Sequence, residues 1–182
     1  MMTVKPSSAG EYHPWATYIY AREEARRRGD RRVGTDHLVL GLLREPSAAQ
    51  MLGCDLETAR EALDAMDRDA LVAIGMDRTL GAPLLPTREP AFRRGRPSMK
   101  SVLAGRLPMT PVAKRVLEES GKDRRGGRAQ RRWSPELVLA ALLRLATPDP
   151  GAALLDALDV DRAAVRAQLR EAIGDPHAPG DR

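Results

Sequence analysis

The chain has 182 residues, 42% hydrophobic and 30% charged, which suits one ordinary domain or two very small ones around a buried core. A single cysteine, Cys54, excludes a disulfide framework and a multi-cysteine zinc site, and no apolar run approaches the roughly 20 residues a membrane helix needs. The formal charge of +5 raises nucleic acid as a partner, so the placement of that charge matters more than its total.

Residues 1–10 read as a tail without a basic-then-apolar leader, so a cytoplasmic protein is expected. Only six aromatic residues are present, which leaves the core to Leu, Ala, Val, Ile and Met; Val and Ile apart, these favour helix. In residues 11–75, Thr35 reads as an N-cap, because its hydroxyl can accept from the free N–H groups of a first turn. From Leu38 to Leu43 the chain is apolar nearly all round, as a central helix packed on several sides would be. Asp55 reads as the next cap, with Leu56, Ala59, Leu63 and Met66 following at helical spacing and Gly75 as the stop.

Residues 76–106 read as a linker, punctuated by Gly81, Pro83, Pro86, Pro90, Gly95 and Pro97. The basic charge gathers around it: residues 88–132 hold 14 Lys or Arg against four acids, a net +10, and the rest of the chain is −5. Residues 107–174 repeat the earlier plan. Pro111 after Thr110 and Pro135 after Ser134 suit first helical positions. From Leu137 to Leu143 the chain is again apolar, and Asp161 precedes Val165, Leu169 and Ile173, with Gly174 as the stop. Residues 175–182 read as a tail. No alternating strand pattern of useful length appears, so an all-α fold is expected.

Two matches in the same order make this an internal repeat. Thr35 to Leu43 aligns with Ser134 to Leu142 at an offset of 99, and Leu52-Gly53-Cys54-Asp55 with Leu158-Asp159-Val160-Asp161 at an offset of 106. Seven extra residues are thus expected in the second copy, around Thr147-Pro148-Asp149-Pro150-Gly151.

On these residues the chain resembles the N-terminal domain of Clp-type unfoldases of the ClpC/ClpA sort. Residues 21–45, with Gly34-Thr35-Asp36-His37-Leu38 at their centre, carry the resemblance in the first copy, and Leu107-Pro108-Met109-Thr110-Pro111 with Ala113-Lys114 in the second. The resemblance implies two tandem four-helix repeats related by pseudo-twofold symmetry, and a receptor for substrates and adaptors instead of an enzyme. No G-x-x-x-x-G-K-[ST] loop occurs, since the stretch from Gly95 to Lys100-Ser101 lacks the second glycine. With eight residues after Gly174 there is no room for a motor, and a free-standing relative of the receptor domain, without cofactor, is expected.

Some relatives bind phosphorylated arginine, and the resemblance assigns the ligand-binding positions. Asp36 stands where the family has a glutamate that pairs with the guanidinium. The matching position in the second copy is Pro135, with Glu136 displaced by one. Thr110 is retained, whereas Glu11 replaces its counterpart. The expected groove lies between the repeats, with Thr35 and Asp36 on one face and Met109, Thr110, Ser134 and Glu136 on the other; Met109 replaces a frequent aromatic. Asp36 also has a plainer reading, as an acid that favours its own helix N-terminus. His37 has no Cys or His companion at ligand spacing and reads as a packed histidine; Cys54 reads as a small packed residue.

The expected partners are a Clp unfoldase or its substrates and adaptors, phosphoarginine proteins, or peptide ligands of the receptor domain. An alternative is a nucleic-acid-associated regulator using Arg124, Arg125, Arg128, Arg131 and Arg132. Only Phe92 and Trp133 offer stacking in the basic band, so a single-strand platform has little support.

Overall fold

The computed structural model describes residues 14–76, 107–122 and 134–173. Among them are eight helices and no strand: α1 (Pro14–Arg28), α2 (Thr35–Leu42), α3 (Pro46–Leu52), α4 (Leu56–Ala73), α5 (Pro111–Lys122), α6 (Pro135–Leu142), α7 (Pro150–Ala157) and α8 (Arg162–Ile173). No helix of the described residues is long and apolar enough to cross a membrane.

Local chemistry sets the helix ends. Asp55 accepts from the Thr58 N–H at 2.8 Å, and Asp161 from the Ala163 and Ala164 N–H groups at 2.9 and 3.0 Å, so both predicted aspartate caps are present. Thr110 caps α5 through the Ala113 N–H at 3.2 Å. Gly75, at φ +78°, ends α4 while the Met76 N–H returns to the Leu71 carbonyl. Gly174 lies outside the described residues. The threonine reading needs correction: Gly34 occupies the cap position of α2, and Thr35 is the first helical residue. Ser134 does occupy the cap position of α6, but its side chain makes no capping bond.

The two halves, α1–α4 and α5–α8, pack crosswise. α2 and α6 touch each other; α2 packs on α7 and α6 on α3; α4 packs on α7 and α8 on α3. Each contact between the halves has its counterpart under exchange of the halves, which is the pseudo-twofold arrangement. Leu38, Leu40, Leu42, Leu139, Leu142, Leu143, Leu154 and Leu155 are fully buried in one continuous core, so neither half closes a core alone.

The structure also moves the repeat register by one residue. The N–H groups of Leu43, Arg44 and Glu45 bond the carbonyls of Val39, Gly41 and Leu42; those of Leu143, Arg144 and Leu145 bond Leu139, Ala141 and Leu142. The offset at the end of the central helix is therefore 100, from Arg44 to Arg144, and not 99. It becomes 104 at Pro46 and Pro150, and 106 at the left-handed residues Gly53 and Asp159. The added residues are thus four between α6 and α7, one within α7 and one, Leu158, directly after it. Central helices buried on all sides have lost the periodicity that fixes register, so a Leu-Val-Leu run aligned equally well one residue away.

Candidate functional site

The start of α2 is built around three side chains with different duties. Thr35 is 1% exposed, and its hydroxyl donates to Asp149 Oδ1 at 2.7 Å while accepting from the Gly151 N–H at 3.0 Å. A Cβ on Gly151 would stand 2.9 Å from the Thr35 backbone carbon, so the contact closes only with glycine there. Thr35 therefore fastens α7 of the other half to α2, and its hydroxyl is not presented to a ligand.

Asp36 is different. It lies in the first turn of α2, with a side chain 14% exposed and Oδ1 3.2 Å from His37 Nδ1. His37 is buried; its Nδ1 accepts from the Gly34 N–H at 3.1 Å, and its Nε2 lies 2.9 Å from Asp30 Oδ2. Asp30 is in turn held by Arg28, which also binds Asp64 and Asp67 of α4. Burial by itself would raise the Asp36 carboxyl, but the bond to His37 and its charge outweigh this and hold it below the usual aspartate range. Burial would lower His37, but bonding and charge from Asp36, then Asp30, outweigh it and hold the imidazole above its usual value. The packed-histidine reading fits this placement, with ion-pair partners added.

Val33 and Met109 form one isolated parallel bridge: the Val33 N–H donates to the Pro108 carbonyl and the Thr110 N–H to the Val33 carbonyl, both at 2.9 Å. The bridge joins the start of α2 to the start of α5, so Asp36, Met109 and Thr110 share one edge of the molecule. Beside it lies an open apolar pocket of about 290 Å³ lined by Trp15, Tyr18, Leu107, Pro108 and Met109. Trp15 is 46% exposed and stands edge-on to Tyr18 at 5.3 Å, while the Tyr18 hydroxyl donates to the Leu107 carbonyl at 2.9 Å. Trp15 and Tyr18 were not among the expected site residues. Two of only six aromatics, three positions apart near the start of a helix, were the available signal.

Ser134 and Glu136 stand at the start of α6. With the corrected register Glu136, and not Pro135, is the counterpart of Asp36: both are acids in the first turn of a central helix. Leu137 then matches His37, and Pro135 matches Thr35. Glu45, at the cap position of α3, matches Asp149 at that of α7. Burial and then the charge of Glu136 push the Glu45 carboxyl upward. The second junction thus sets two carboxylates near each other, with Pro135 where Thr35 supplies its hydroxyl in the first.

The remaining candidates are structural. Burial, then the charge of Asp55, raises the Cys54 thiol, which suits a packed residue and not a nucleophile. Among the described residues no group of three His, Cys, Asp or Glu could hold a metal ion. Arg124, Arg125, Arg128, Arg131 and Arg132 lie outside the described residues, as does Glu11.

No protein-family model matches the chain, and no curated protein matches it. Among solved structures, the N-terminal domain of the caseinolytic protease-associated chaperone ClpD from Arabidopsis thaliana is similar, with a TM-score of 0.57 and 21% identity over 88% of this chain and 94% of that one. The likeness extends over both halves and establishes a Clp N-domain-like fold.

Proposed function

We propose that the chain is a non-catalytic protein-interaction module of the Clp proteolysis type, acting as an adaptor, decoy or regulator toward an unfoldase, its substrates or its peptide ligands. The observation that carries this reading is the pair of first-turn carboxylates, Asp36 and Glu136, at equivalent positions of the two central helices in a Clp N-domain-like fold. A carboxylate at such a place can accept two parallel bonds from a guanidinium, and the adjacent helix N-termini favour an anion such as phosphate. Arginine-bearing segments, phosphorylated or not, are the ligand class. The Trp15, Tyr18 and Met109 pocket seats an apolar side chain of the same segment. Met109 fills that pocket with a flexible thioether, so ligands that depend on stacking bind it less firmly than an aromatic would allow.

The test is thermal unfolding with a phosphoarginine peptide. At a ligand concentration of 100 times Kd, binding raises stability by about 2.7 kcal/mol. Protection that falls in Asp36→Asn and in Glu136→Gln, and vanishes in the double variant, supports the reading. An unchanged melting temperature at millimolar peptide sinks it.

A further inference from the structure

We infer that His37 is a proton gate on the Asp36 half-site: the neutral imidazole leaves the Asp36 carboxylate open to a guanidinium, and the protonated imidazole occupies it. The inference rests on the guanidinium-binding reading above and adds its regulation.

The geometry gives Nδ1 of His37 two competing neighbours. When the ring is neutral, Nε2–H donates to Asp30 and the Nδ1 lone pair accepts from the Gly34 N–H at 3.1 Å. Asp36 Oδ1, 3.2 Å away, then faces a lone pair and has its full charge to offer. When the ring takes a proton, Nδ1–H can no longer accept from Gly34 and donates to Asp36 instead. One proton and one guanidinium thus compete for the same carboxylate.

The charged surroundings keep the competition local. Asp36 of α2 and Asp30 of the α1–α2 turn face the imidazole. Arg28 of α1 holds Asp30 and is itself tied to Asp64 and Asp67 of α4. On α7, Asp149 is taken by the Thr35 hydroxyl; on α5, Lys114 pairs with Glu118; on α6, Glu136 stands at its own helix start. The second half-site provides the internal control, because Leu137 occupies the position of His37 and cannot titrate.

Phosphoarginine titrated calorimetrically between pH 6 and 8.5 separates the half-sites. Glu136→Gln reports on the Asp36 site alone and Asp36→Asn on the Glu136 site alone. Affinity of the Glu136→Gln protein should fall by up to about tenfold per pH unit below the His37 pKa, with a proton released on binding, while Asp36→Asn stays flat. His37→Gln in the Glu136→Gln background should retain its affinity at pH 6. NMR of the imidazole should show its pKa dropping in Asp36→Asn and on ligand binding. Equal pH dependence in the two single-site proteins, which reflects the ligand's own titration, overturns the gate and leaves guanidinium binding standing. Absence of phosphoarginine binding at every pH overturns both.

Discussion

Where α2 begins, Thr35 reaches across to Asp149 and Gly151 of the other half; where α6 begins, Pro135 holds the same position and has no hydroxyl to offer. Ser47 stands where Gly151 makes room, and Glu45 where Asp149 accepts. The same fold position is therefore a closed polar clasp in one half and a pair of like charges in the other. A duplicated domain needs both junctions for packing, but one clasp is enough to set the relative position of the halves. The other junction carries two carboxylates, Glu45 and Glu136, in place of that clasp.

The same contrast appears at the last helix of each half. Arg60 of α4 grips Glu24 through two nitrogens at 2.6 and 2.9 Å, Arg44 adds a bond at 2.9 Å, and Glu24 is 1% exposed. Burial works against this carboxylate, but the two arginines outweigh it and hold its pKa below the usual range. The corresponding Arg166 of α8 donates to the Leu143 carbonyl at 2.6 Å, from an exposed position. Glu24→Ala should cost about 3 kcal/mol in urea unfolding, since it removes the buried carboxylate that accepts charge-assisted bonds from Arg60 and Arg44, which keep Glu57 and Glu23. Arg166→Ala should cost about 1 kcal/mol. Equal losses would break the comparison between the halves.

The clasp itself is next in size. Thr35→Val removes two hydrogen bonds and Gly151→Ala drives a methyl group into the Thr35 backbone, and each should cost about 1–3 kcal/mol. Ser47→Ala, at the open junction, should stay within about 0.5 kcal/mol. Because Thr35 and Gly151 act through one contact, the double variant should cost less than the sum of the two. Additive losses would mean that the clasp is not a unit.

Much of this was legible in the sequence, and its failures have physical causes. The aspartate caps announced themselves because Asp55 and Asp161 act within one turn of chain, and Gly75 did so because few other residues tolerate its backbone angle. The repeat followed from two residue matches in the same order, and the all-α fold from the helical apolar spacing, the scarcity of aromatics and the lack of an alternating strand pattern. Thr35 was misread as a cap because its true partners, Asp149 and Gly151, lie more than 110 positions away. Glu136 was placed on the groove but one residue away from the counterpart of Asp36, because a helix buried on every side carries no phase. The pocket was missed because Trp15 and Tyr18 gain meaning only when Leu107, Pro108 and Met109 come to rest against them.

The smallest expected effect is also the one that most directly weighs the open junction. Glu45 is raised by burial and by Glu136, so its folded pKa lies above its unfolded value. The sign then follows: any favourable contribution is present below the unfolded pKa and is lost as pH rises through the folded one, leaving an ionised Glu45 unfavourable at neutral pH. Glu45→Gln should therefore stabilise the protein at pH 7 by a few tenths of a kcal/mol, because the group is partly solvated and the repulsion is screened. The gain should disappear at pH 4 and shrink in high salt. It should also shrink in a Glu136→Gln background, since the two substitutions remove the same repulsion. A destabilisation at pH 7 would mean that Glu45 caps α3 or accepts a bond that outweighs the repulsion, and the open junction would then be a second clasp. A stabilisation accompanied by weaker phosphoarginine binding would show that the repulsion is retained because the carboxylate pair helps to attract the guanidinium.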